Sequence, residues 1–573
     1  MILLRNELRG RGRNRFAAVV LILCVTAQSA VAAAPDVTYL FPAGGQRGTK
    51  LTVTCKGSFT WPLKVHAPGL EVVPAKESGK LAVTIPPDLA ADRVWIRLFN
   101  DDGTSNSLPF LIGGLPELEE KEPNNAVRNA HAVVPSGSTV NGVLMDTDVD
   151  GFTIYLEAGQ TLVAALDANT KLGSPMDAIL QVVSPEGIVV GENHDDVDLD
   201  PRLAYTAKKT GTHVVRLMAF PSTPGQRIAF HGGANYVYRL TMTTGPFVTH
   251  AVPLAANEKD PGAVQLGGWN LPVDSKFPVH PLGGANIGDG QEFDPVADFR
   301  NTHDIKLGYA FVPGGAGGAR VRLVPYNIVP GIAASDEKNP LALTLPAVAT
   351  GLLAKPKQSD YYKFVMKKGE QLSITVETRN LFFPLDPRIK LIDPTGAVAV
   401  EFDEATPMRV SAFGHAAAHD GEYKLIVADK YRRGGERSNY RLTAKLEEPD
   451  FELTGAAEVL SVTTEKPAEF AVTILRRAAP GVSVGPITIE AVGLPTGVTC
   501  APVVSEVSGE TAGKVTLSFK SDGTPFTGPI RIVGRAATPK PLERFARTPA
   551  RLGNCFETVW LTAVKKPEPA PAK

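Results

Sequence analysis

The stretch from Met145 to Glu157 (MDTDVDGFTIYLE) carries acidic residues at spacings that can bind a divalent cation. Counted from Asp146, it satisfies the whole calcium-loop pattern D-x-[DN]-x-[DN]-G-x5-E of EF-hands. An EF-hand also needs a helix on each side of the loop, because both flanks hold the ligands bent around the ion. Here the alternation from Phe152 to Leu156 predicts a strand, which carries Glu157 away from the aspartates. We therefore predict that this match is not an EF-hand.

Other residues that could do chemistry lack the context that the chemistry requires. We predict no GxSxG nucleophile elbow, and the sequence contains no HExxH and no CxxC motif. His415 and His419 have the i, i+4 spacing of zinc ligands on a helix, but they fall in a predicted strand and turn without an obvious third ligand. The glycine-rich stretches 283–290 and 313–319 lack the following helix of a phosphate-binding loop. We predict no catalytic residues and a protein that is not an enzyme.

The N-terminus has the composition of a secretory signal peptide. Residues 1–32 place five arginines before an apolar run from Phe16 to about Ala27, and Ala30-Val31-Ala32 is a suitable cleavage site. The run is shorter than the roughly 20 residues of a membrane helix, although a retained anchor is the alternative. We expect a secreted, periplasmic or envelope protein without a membrane span in the mature chain.

The charge of the chain argues against one class of binding partner, and its cysteines permit a disulfide. Without residues 1–32 the chain keeps 54 basic and 59 acidic side chains, and nucleic-acid binding needs concentrated Lys and Arg. No nucleic-acid partner is therefore expected. Export to an oxidising compartment permits a disulfide, and Cys500 and Cys555, in one predicted domain, are the candidate pair. Cys55 lies on the apolar phase of a predicted strand, which indicates a buried thiol.

Short alternating runs punctuated by turn residues extend through the whole mature chain. Examples are RVWIRLFNDDG at 93–103, THVVRLMAF at 212–220 and GEYKLIVAD at 421–429. Period-two alternation predicts strands, and 54 Gly with 47 Pro supply the turns between them. With 573 residues the chain can bury several cores. The sequence therefore predicts an all-β protein of tandem β-sandwich domains.

The chain also contains an internal duplication. Residues 140–168 align with 349–378, and residues 174–190 align with 383–399, at an offset near 210. The tripeptide YRL closes both copies, at 238–240 and at 440–442.

The first copy resembles the bacterial pre-peptidase C-terminal domain, known also as the collagen-binding module of clostridial collagenases. The resemblance covers residues 119–243 and rests on EKEPNNAVRNA, VNGVL, DVDGF, AGQTL, ENHDD and the closing YRL. The second copy, at about 336–446, keeps GEQL, DPTG, DGEY and YRL but has a degenerate opening. Segments 39–57 and 250–272, which precede the copies, resemble the start of an Ig-like TIG domain.

These resemblances predict the domain order, which is similar to that of multi-domain exported proteins of planctomycete-type bacteria. Both pre-peptidase-like domains are expected to be jelly-roll-like. The expected units are a signal peptide at 1–32, a TIG/Ig-like domain at 36–115, a pre-peptidase C-terminal-like domain at 116–246, a second TIG/Ig-like domain at 247–335, a degenerate second pre-peptidase C-terminal-like domain at 336–447, an Ig-like C-terminal domain at 449–565 and a disordered tail at 566–573.

The resemblance implies a calcium site. In the collagenase versions of the domain, an acidic linker before the first strand wraps an ion together with aspartates near that strand. Hard oxygen ligands from two segments suit calcium, which takes six to eight of them. Asn125 stands where an acid is common, which lowers the expected affinity. The matching positions in this chain are Glu120, Glu122, Asn124, Asn125, Asp148 and Asp150.

A second acidic group has two interpretations. Asp195, Asp196, Asp198 and Asp200 either serve a separate ion or form a solvated, aspartate-rich turn. The second copy has Lys355 and Lys357 where the first has acids, so we predict no ion there.

The sequence predicts a non-catalytic exported binding or scaffold protein of the cell envelope or extracellular space. Its sandwiches would present loops to a polymer or protein ligand, because a rigid core holds variable loops in place. One alternative is an accessory component of a secreted peptidase or hydrolase system, since pre-peptidase-like domains usually accompany proteases. Another is a structural envelope protein assembled through exposed sheet edges.

Overall fold

The computed structural model describes residues 34–133, 137–223, 225, 229–282, 306–332, 335–403, 410–477 and 482–564. Within these ranges strands dominate, and the helical residues are confined to the short helix α1 (Asn169–Leu172) and two 3-10 turns (Val127–Asn129 and Arg379–Leu381). The predicted all-β class with tandem β-sandwiches is confirmed. The predicted signal peptide, the tail and the glycine-rich stretch 283–290 lie outside the described residues.

The first sandwich covers residues 36–113. Its sheets have the strand orders β1-β3-β6-β5 and β2-β9-β7-β4, with β8 beside β7. The inward side chains of both sheets, such as Val53, Leu81, Ile96 and Phe110, share one core. The strands are β1 (Asp36–Phe41), β2 (Gly44–Gln46), β3 (Lys50–Ser58), β4 (Lys64–His66), β5 (Glu71–Pro74), β6 (Lys80–Thr84), β7 (Arg93–Asn100), β8 (Gly103–Thr104) and β9 (Leu108–Gly113).

The second sandwich contains the first repeat copy. Its strands are β10 (Glu117–Glu119), β11 (His131–Ala132), β12 (Ser138–Val143), β13 (Asp150–Leu156), β14 (Thr161–Asp167), β15 (Met176–Val183), β16 (Val189–Asn193), β17 (Arg202–Thr206), β18 (Gly211–Pro221) and β19 (Val237–Thr243). The sheets run β10-β12-β19-β14-β17 and β11-β13-β18-β15-β16. Phe152, Leu180, Leu217 and Leu240 belong to the core between them.

The third sandwich is smaller. Its strands are β20 (Phe247–Val252), β21 (Ala255–Asn257), β22 (Ala263–Trp269), β23 (Lys276–Pro278), β24 (His280–Leu282), β25 (Lys306–Ala310), β26 (Ala316–Gly317) and β27 (Ala319–Val324). The sheets run β23-β22-β20-β26 and β21-β27-β25-β24. Val264, Val321 and Leu323 lie in its core.

The fourth sandwich contains the second repeat copy and follows the strand order of the second sandwich strand for strand. Its sheets run β28-β30-β37-β32-β35 and β29-β31-β36-β33-β34. The strands are β28 (Asn327–Ile332), β29 (Leu341–Ala342), β30 (Ala347–Leu352), β31 (Ser359–Met366), β32 (Gln371–Glu377), β33 (Pro387–Ile392), β34 (Val398–Asp403), β35 (Val410–Ala416), β36 (Gly421–Asp429) and β37 (Asn439–Leu446).

The fifth sandwich has sheets of order β38-β40-β44-β42 and β39-β47-β45-β41-β43, with β46 beside β45. Its strands are β38 (Asp450–Gly455), β39 (Val459–Val462), β40 (Ala468–Arg477), β41 (Ile487–Val492), β42 (Val498–Cys500), β43 (Val503–Ser505), β44 (Lys514–Ser521), β45 (Phe526–Ala536), β46 (Leu542–Phe545) and β47 (Val559–Ala563).

The cysteines differ from the prediction at one pair. Cys500 and Cys555 are not joined by a disulfide. Cys500 ends β42 in one sheet of the fifth sandwich, whereas Cys555 lies in the segment that leads into β47 of the other sheet. Shared membership of a sandwich therefore did not place the two thiols together. Cys55 is buried in the first core as predicted, and burial raises the pKa of its thiol to about 12.

Sandwiches that are not consecutive in sequence contact one another through ion pairs. Asp92 of the first sandwich binds Arg320 of the third at 3.1 Å. Asp196 of the second binds Arg437 of the fourth at 2.8 Å. Some sandwiches therefore pack against sandwiches that are not their neighbours along the chain.

The first and fifth sandwiches meet in a contact that we call the clasp, formed by Arg97, Ser107, Glu458, Trp560 and Phe99. The Glu458 carboxylate accepts hydrogen bonds from the Arg97 guanidinium and from the Ser107 backbone N–H, the latter at 3.2 Å. The Trp560 and Phe99 rings lie 5.1 Å apart between centroids. The Arg97 side chain is 4% exposed and that of Glu458 is 13% exposed, so the pair is largely removed from water.

No helix in the described ranges combines the length and the apolar character needed to cross a membrane.

Candidate metal centre

The acidic linker and the start of β13 lie against each other in the second sandwich. Glu120 follows β10, and its N–H donates to the Asn141 carbonyl at 3.0 Å. At Gly151 a Cβ would come within 2.9 Å of the Asn124 carbonyl oxygen, so the missing side chain lets the linker approach β13. The backbone of two segments thus fixes where the acidic side chains meet.

Three of the predicted ligands form one group. Carboxylate oxygens of Glu120, Glu122 and Asp150 all lie within 4.8 Å of one another. Asp150 is fully buried, Glu120 is partly buried and Glu122 is exposed. The Val143 N–H donates to Glu120 Oε1 at 2.7 Å, and the Asn124 N–H donates to Glu122 Oε2 at 2.9 Å. Backbone donors therefore orient two of the carboxylates.

Tyr238 on β19 connects the two buried acids. Its hydroxyl oxygen lies 2.6 Å from Glu120 Oε2 and 2.6 Å from Asp150 Oδ2. A phenol has one proton to donate, so it serves only one of these two oxygens as a donor. Three acidic side chains consequently share one fixed hydroxyl proton and two backbone donors.

Buried polar atoms beside the group lack partners among the described residues. Asp150 Oδ1 accepts no hydrogen bond, and both side-chain amide atoms of the fully buried Asn124 are also without a partner. Buried polar atoms in folded proteins almost always have a partner, and an unpaired one marks a place for water or an ion. The unpaired oxygen of a buried carboxylate fits a cation.

Electrostatics at the group favour an added positive charge. Burial, and next the neighbouring Glu120 charge, raise the pKa of Asp150 well above its ordinary value, while the Tyr238 hydrogen bond acts in the opposite direction. Burial also raises the pKa of Glu120. Carboxylates that are close together and buried ionise together only when a cation or donors compensate their charge.

The remaining predicted ligands lie at the edge of the group. The Asn125 side-chain amide donates to Asp148, and Asp148 Oδ1 also accepts the Val149 N–H at 2.9 Å. These two residues are thus bound to each other next to Asp150, outside the set whose oxygens lie within 4.8 Å of one another.

The rejection of the EF-hand interpretation is confirmed. Residues 150–156 form β13, and no helix flanks residues 146–157. Asp146 Oδ1 is hydrogen-bonded to His231 Nδ1 at 2.7 Å.

The equivalent position in the fourth sandwich is a closed hydrogen-bonded network around one carboxyl group. Asp360 Oδ2 accepts from the Tyr440 hydroxyl at 2.6 Å, and Oδ1 accepts from Gln358 Nε2 at 3.0 Å. The Tyr362 and Tyr440 hydroxyl oxygens lie 2.7 Å apart. Both oxygens of this buried aspartate therefore have donors, in contrast to those of Asp150.

The second acidic group is engaged in structural contacts. Asp200 is buried and accepts the N–H groups of Ala168, Asn169 and Thr170 at the start of α1. Asp196 binds Arg202 and Arg437. Two of its four carboxylates thus bind backbone N–H groups and arginine side chains, and neither of these two is exposed, in contrast to the solvated turn of the second interpretation.

Two further candidates lack a catalytic arrangement. His415 lies on β35 and His419 in the turn that follows, so the pair is not on a helix. The string GVSVG at 481–485, which the prediction of no GxSxG elbow overlooked, matches the residue pattern of hydrolases. That pattern requires a strand before the serine and a helix after it, whereas strand β41 follows Ser483.

Tyr238 is the residue of the site that the sequence prediction missed. The available signal was the YRL tripeptide shared by both copies. It was interpreted only as a closing strand, because nothing in the sequence shows that its tyrosine faces β13 across the core.

Comparison with known proteins gives no family assignment. No family model matches the chain, and no curated protein matches it.

Similar solved structures include β-sandwich domains. The pre-peptidase C-terminal domain of a collagenase from Bacillus anthracis is 17% identical, covers 20% of this chain and 98% of its own, and has a TM-score of 0.16. The g-type lysozyme inhibitor PliG of Aeromonas hydrophila is 14% identical over 22% of this chain and 95% of its own, with a TM-score of 0.14.

A larger match is the M60 catalytic domain of Clostridium perfringens ZmpB with its CBM51-1 and CBM51-2 domains. It is 9% identical over 70% of this chain and 45% of its own, with a TM-score of 0.14. TM-scores this low give no information about the activity or the ligands of the chain.

Proposed function

We propose that the protein is a non-catalytic, exported binding or scaffold protein of the envelope or extracellular space. Its sandwiches present loops to a polymer or protein ligand, and the second sandwich uses calcium to order the loops at one of its ends. The observation that carries the calcium part is the fully buried Asp150, whose Oδ1 atom has no partner among the described residues.

Glu120, Glu122 and Asp150 are the residues that hold the ion. They offer hard carboxylate oxygens from two chain segments, which is the donor set that calcium prefers. Bound calcium supplies the positive charge that Tyr238 and the backbone donors do not provide. Glu120 and Glu122 belong to the linker and Asp150 to β13, so their joint coordination ties the linker to the sandwich. Asp148 and Asn125 adjoin the same turn and support its shape.

The binding role is supported by the packing of the five sandwiches. Ion pairs such as Asp92–Arg320 and Asp196–Arg437 hold neighbouring sandwiches in fixed positions. Loops on a fixed scaffold meet a ligand without a large ordering cost. The signal-like residues 1–32 support export.

Thermal unfolding in calcium and in EDTA tests the metal part. We expect calcium to raise the melting temperature of the second sandwich, because a ligand that binds only the folded state stabilises it by about 2.7 kcal/mol at a hundredfold excess over Kd. Glu122→Gln, which removes an exposed ligand, should abolish most of this rise. Asp360→Asn in the fourth sandwich is the matched control and should leave the rise unchanged.

The same variants test the binding role when the mature chain is used to retain purified envelope polymers with and without EDTA. Equal melting temperatures of the wild type in calcium and EDTA would contradict the metal site. Turnover of a retained polymer would contradict the non-catalytic role.

A further inference from the structure

The turn that leads into β31 in the fourth sandwich has the same backbone as the turn before β13 but the opposite charge. Thr147 and Lys357 occupy equivalent positions and have φ values of 64° and 65°. In each turn the following N–H donates to the carbonyl of the residue three positions earlier, at 3.2 Å. The second sandwich places Asp146 and Asp148 in this turn, whereas the fourth places Lys355 and Lys357.

A neighbouring loop places an arginine next to this turn. The Lys357 N–H donates to the Arg432 carbonyl at 3.1 Å, and a Cβ at Gly434 would overlap the Lys355 carbonyl oxygen. The loop between β36 and β37 therefore lies directly on the turn. Its Arg432 is exposed next to the two exposed lysines.

The positive charges of these residues have no counter-charge among the residues that the structure describes. Lys355, Lys357 and Arg432 make no side-chain hydrogen bond or ion pair with any residue that the structure describes. Residues 327–335 contain no acidic residue, and of the two acids that follow, Asp336 and Glu337, the first accepts the N–H groups of Lys338 and Asn339 at 2.9 and 2.8 Å. Three cations at one end of the sandwich are thus available to an outside anion.

An exposed aromatic residue, Tyr431, precedes Arg432 in the same loop. Tyr431 is 63% exposed, and the Arg433 guanidinium carbon lies 4.8 Å from the centre of its ring. The buried Asp429 accepts the backbone N–H groups of Tyr431 and Arg433, each at 2.9 Å. The loop is therefore held by an internal carboxylate, and most of the tyrosine ring is open to solvent. We call Lys355, Lys357, Tyr431 and Arg432 the basic face.

We propose that the basic face binds an acidic polysaccharide. The flat C–H face of a sugar ring packs against an exposed aromatic ring, and the carboxylate or sulfate groups of the same polymer pair with the lysines and the arginine. A single exposed ion pair contributes little, so a ligand that repeats its charge along a chain gains by engaging several cations together. This names a ligand class for the binding role proposed above and rests on that role, but it does not involve the calcium site.

Binding of soluble polymers to the immobilised mature chain tests the proposal. Polygalacturonate and heparin supply carboxylate and sulfate charges respectively, and comparison of the two identifies the preferred anion. Neutral dextran, polyglutamate and single-stranded DNA are the comparison polymers. We expect at least one acidic polysaccharide to bind, in a salt-dependent way, and neutral dextran not to bind.

Two charge-matched variants locate the site. Lys355→Gln/Lys357→Gln/Arg432→Gln should weaken polysaccharide binding about tenfold or more, as expected for the loss of three exposed ion pairs. Lys367→Gln/Lys368→Gln/Lys424→Gln removes the same charge from exposed lysines of the same sandwich near the other end of β31 and should retain the affinity. Tyr431→Ala should weaken polysaccharide binding and leave any polyglutamate binding unchanged.

Equal weakening by both triple variants would overturn the location of the site. Equal binding of polyglutamate or DNA, together with no effect of Tyr431→Ala, would overturn the polysaccharide assignment. If no acidic polysaccharide binds, this proposal fails, whereas the calcium-dependent melting and the retention of other envelope polymers still report separately on the proposed function. All substituted side chains are exposed, so melting curves of the variants should match the wild type.

Discussion

Asp150 and Asp360 occupy equivalent positions in the two duplicated sandwiches, yet their surroundings give them different chemistry. Asp360 is the one acid of a network in which Tyr440 and Gln358 satisfy its oxygens. Asp150 shares its tyrosine with Glu120 and keeps one oxygen without a partner in the described chain. The residues around a buried carboxylate, more than its place in the fold, determine whether it needs a cation.

Glu377 is a second buried acid, and its charge is fully compensated. It is bound at 2.7–2.8 Å by Arg322 of the third sandwich and at 2.8 Å by Arg441 of the fourth. We expect Glu377→Gln to destabilise the junction of these sandwiches by about 3–5 kcal/mol, because it removes the carboxylate charge that two buried guanidinium groups share. Chemical denaturation measures the loss. Glu422→Gln, at an exposed pair with Lys363, is the control and should change little.

The same residue gives a prediction for pH. Burial alone would raise the pKa of Glu377, but the charges of Arg322 and Arg441 outweigh it and lower the pKa from 4.5 to about 2. A carboxyl group whose pKa is lowered by folding stabilises the folded state above its unfolded pKa, and this contribution is lost as the pH falls towards the folded value. Stability at this junction should therefore decline between about pH 4.5 and pH 2. The decline should be smaller in Glu377→Gln, and an identical acid profile in both proteins would contradict this assignment.

At the scale of elements, one glycine per copy decides where the core tyrosine lies. Gly142 on β12 faces Tyr238 on β19, and Gly351 on β30 faces Tyr440 on β37. A Cβ at either glycine would overlap the tyrosine ring. The absent side chain lets each tyrosine cross over the neighbouring strand and reach the aspartate at the start of β13 or β31.

Replacing each of these glycines with alanine should distinguish the stability cost of overpacking from the effect on calcium binding. Gly142→Ala and Gly351→Ala should each cost about 1–3 kcal/mol, as overpacked cores do. Gly142→Ala should also reduce the calcium-induced rise in melting temperature, because it displaces Tyr238 from Glu120 and Asp150, while Gly351→Ala should leave that rise intact. Differential scanning calorimetry in calcium and EDTA measures both effects. Equal loss of the calcium response in both variants would contradict the role of Tyr238.

The strands were predictable from the sequence because alternating apolar and polar residues indicate a strand with one buried face. The run at 421–429 shows this, since it became β36 with its apolar side chains inside. The meeting of Glu120, Glu122 and Asp150 was predictable only through the family resemblance, which supplied a pairing of linker and strand. The position of Tyr238 and the separation of Cys500 from Cys555 depend on contacts across a sandwich. Spacing along the chain does not encode such contacts.

At the scale of the whole molecule, the five sandwiches do not form a simple row. The sequence predicts tandem units, and the structure adds contacts between the first and third, second and fourth, and first and fifth sandwiches. Such contacts arise from the few charged and aromatic residues that each surface presents. Arg97 illustrates why they escape prediction, since its strand, RVWIRLFN, reads as an ordinary partly buried element.

The clasp gives a prediction at this scale. Glu458→Ala leaves the buried Arg97 guanidinium without its carboxylate, and breaking a largely buried pair costs about 3 kcal/mol or more. We expect the fifth sandwich to separate from the first while each stays folded, which would increase the radius of gyration measured by small-angle X-ray scattering. Glu465→Ala, at an exposed position of the same sandwich, should not change it. An unchanged radius for Glu458→Ala would contradict this prediction and show that the remaining contacts, such as the Arg551–Ser107 hydrogen bond at 2.9 Å, hold the two sandwiches together.

The clasp also bears on how the protein responds to pulling. Arg97 and Glu458 are 361 positions apart in sequence, so while the clasp holds, tension along the chain bypasses the second, third and fourth sandwiches, which lie between these two residues. Rupture there would lengthen the molecule while every sheet remained intact. We therefore expect a first stretch to open the clasp reversibly, before any sandwich unfolds.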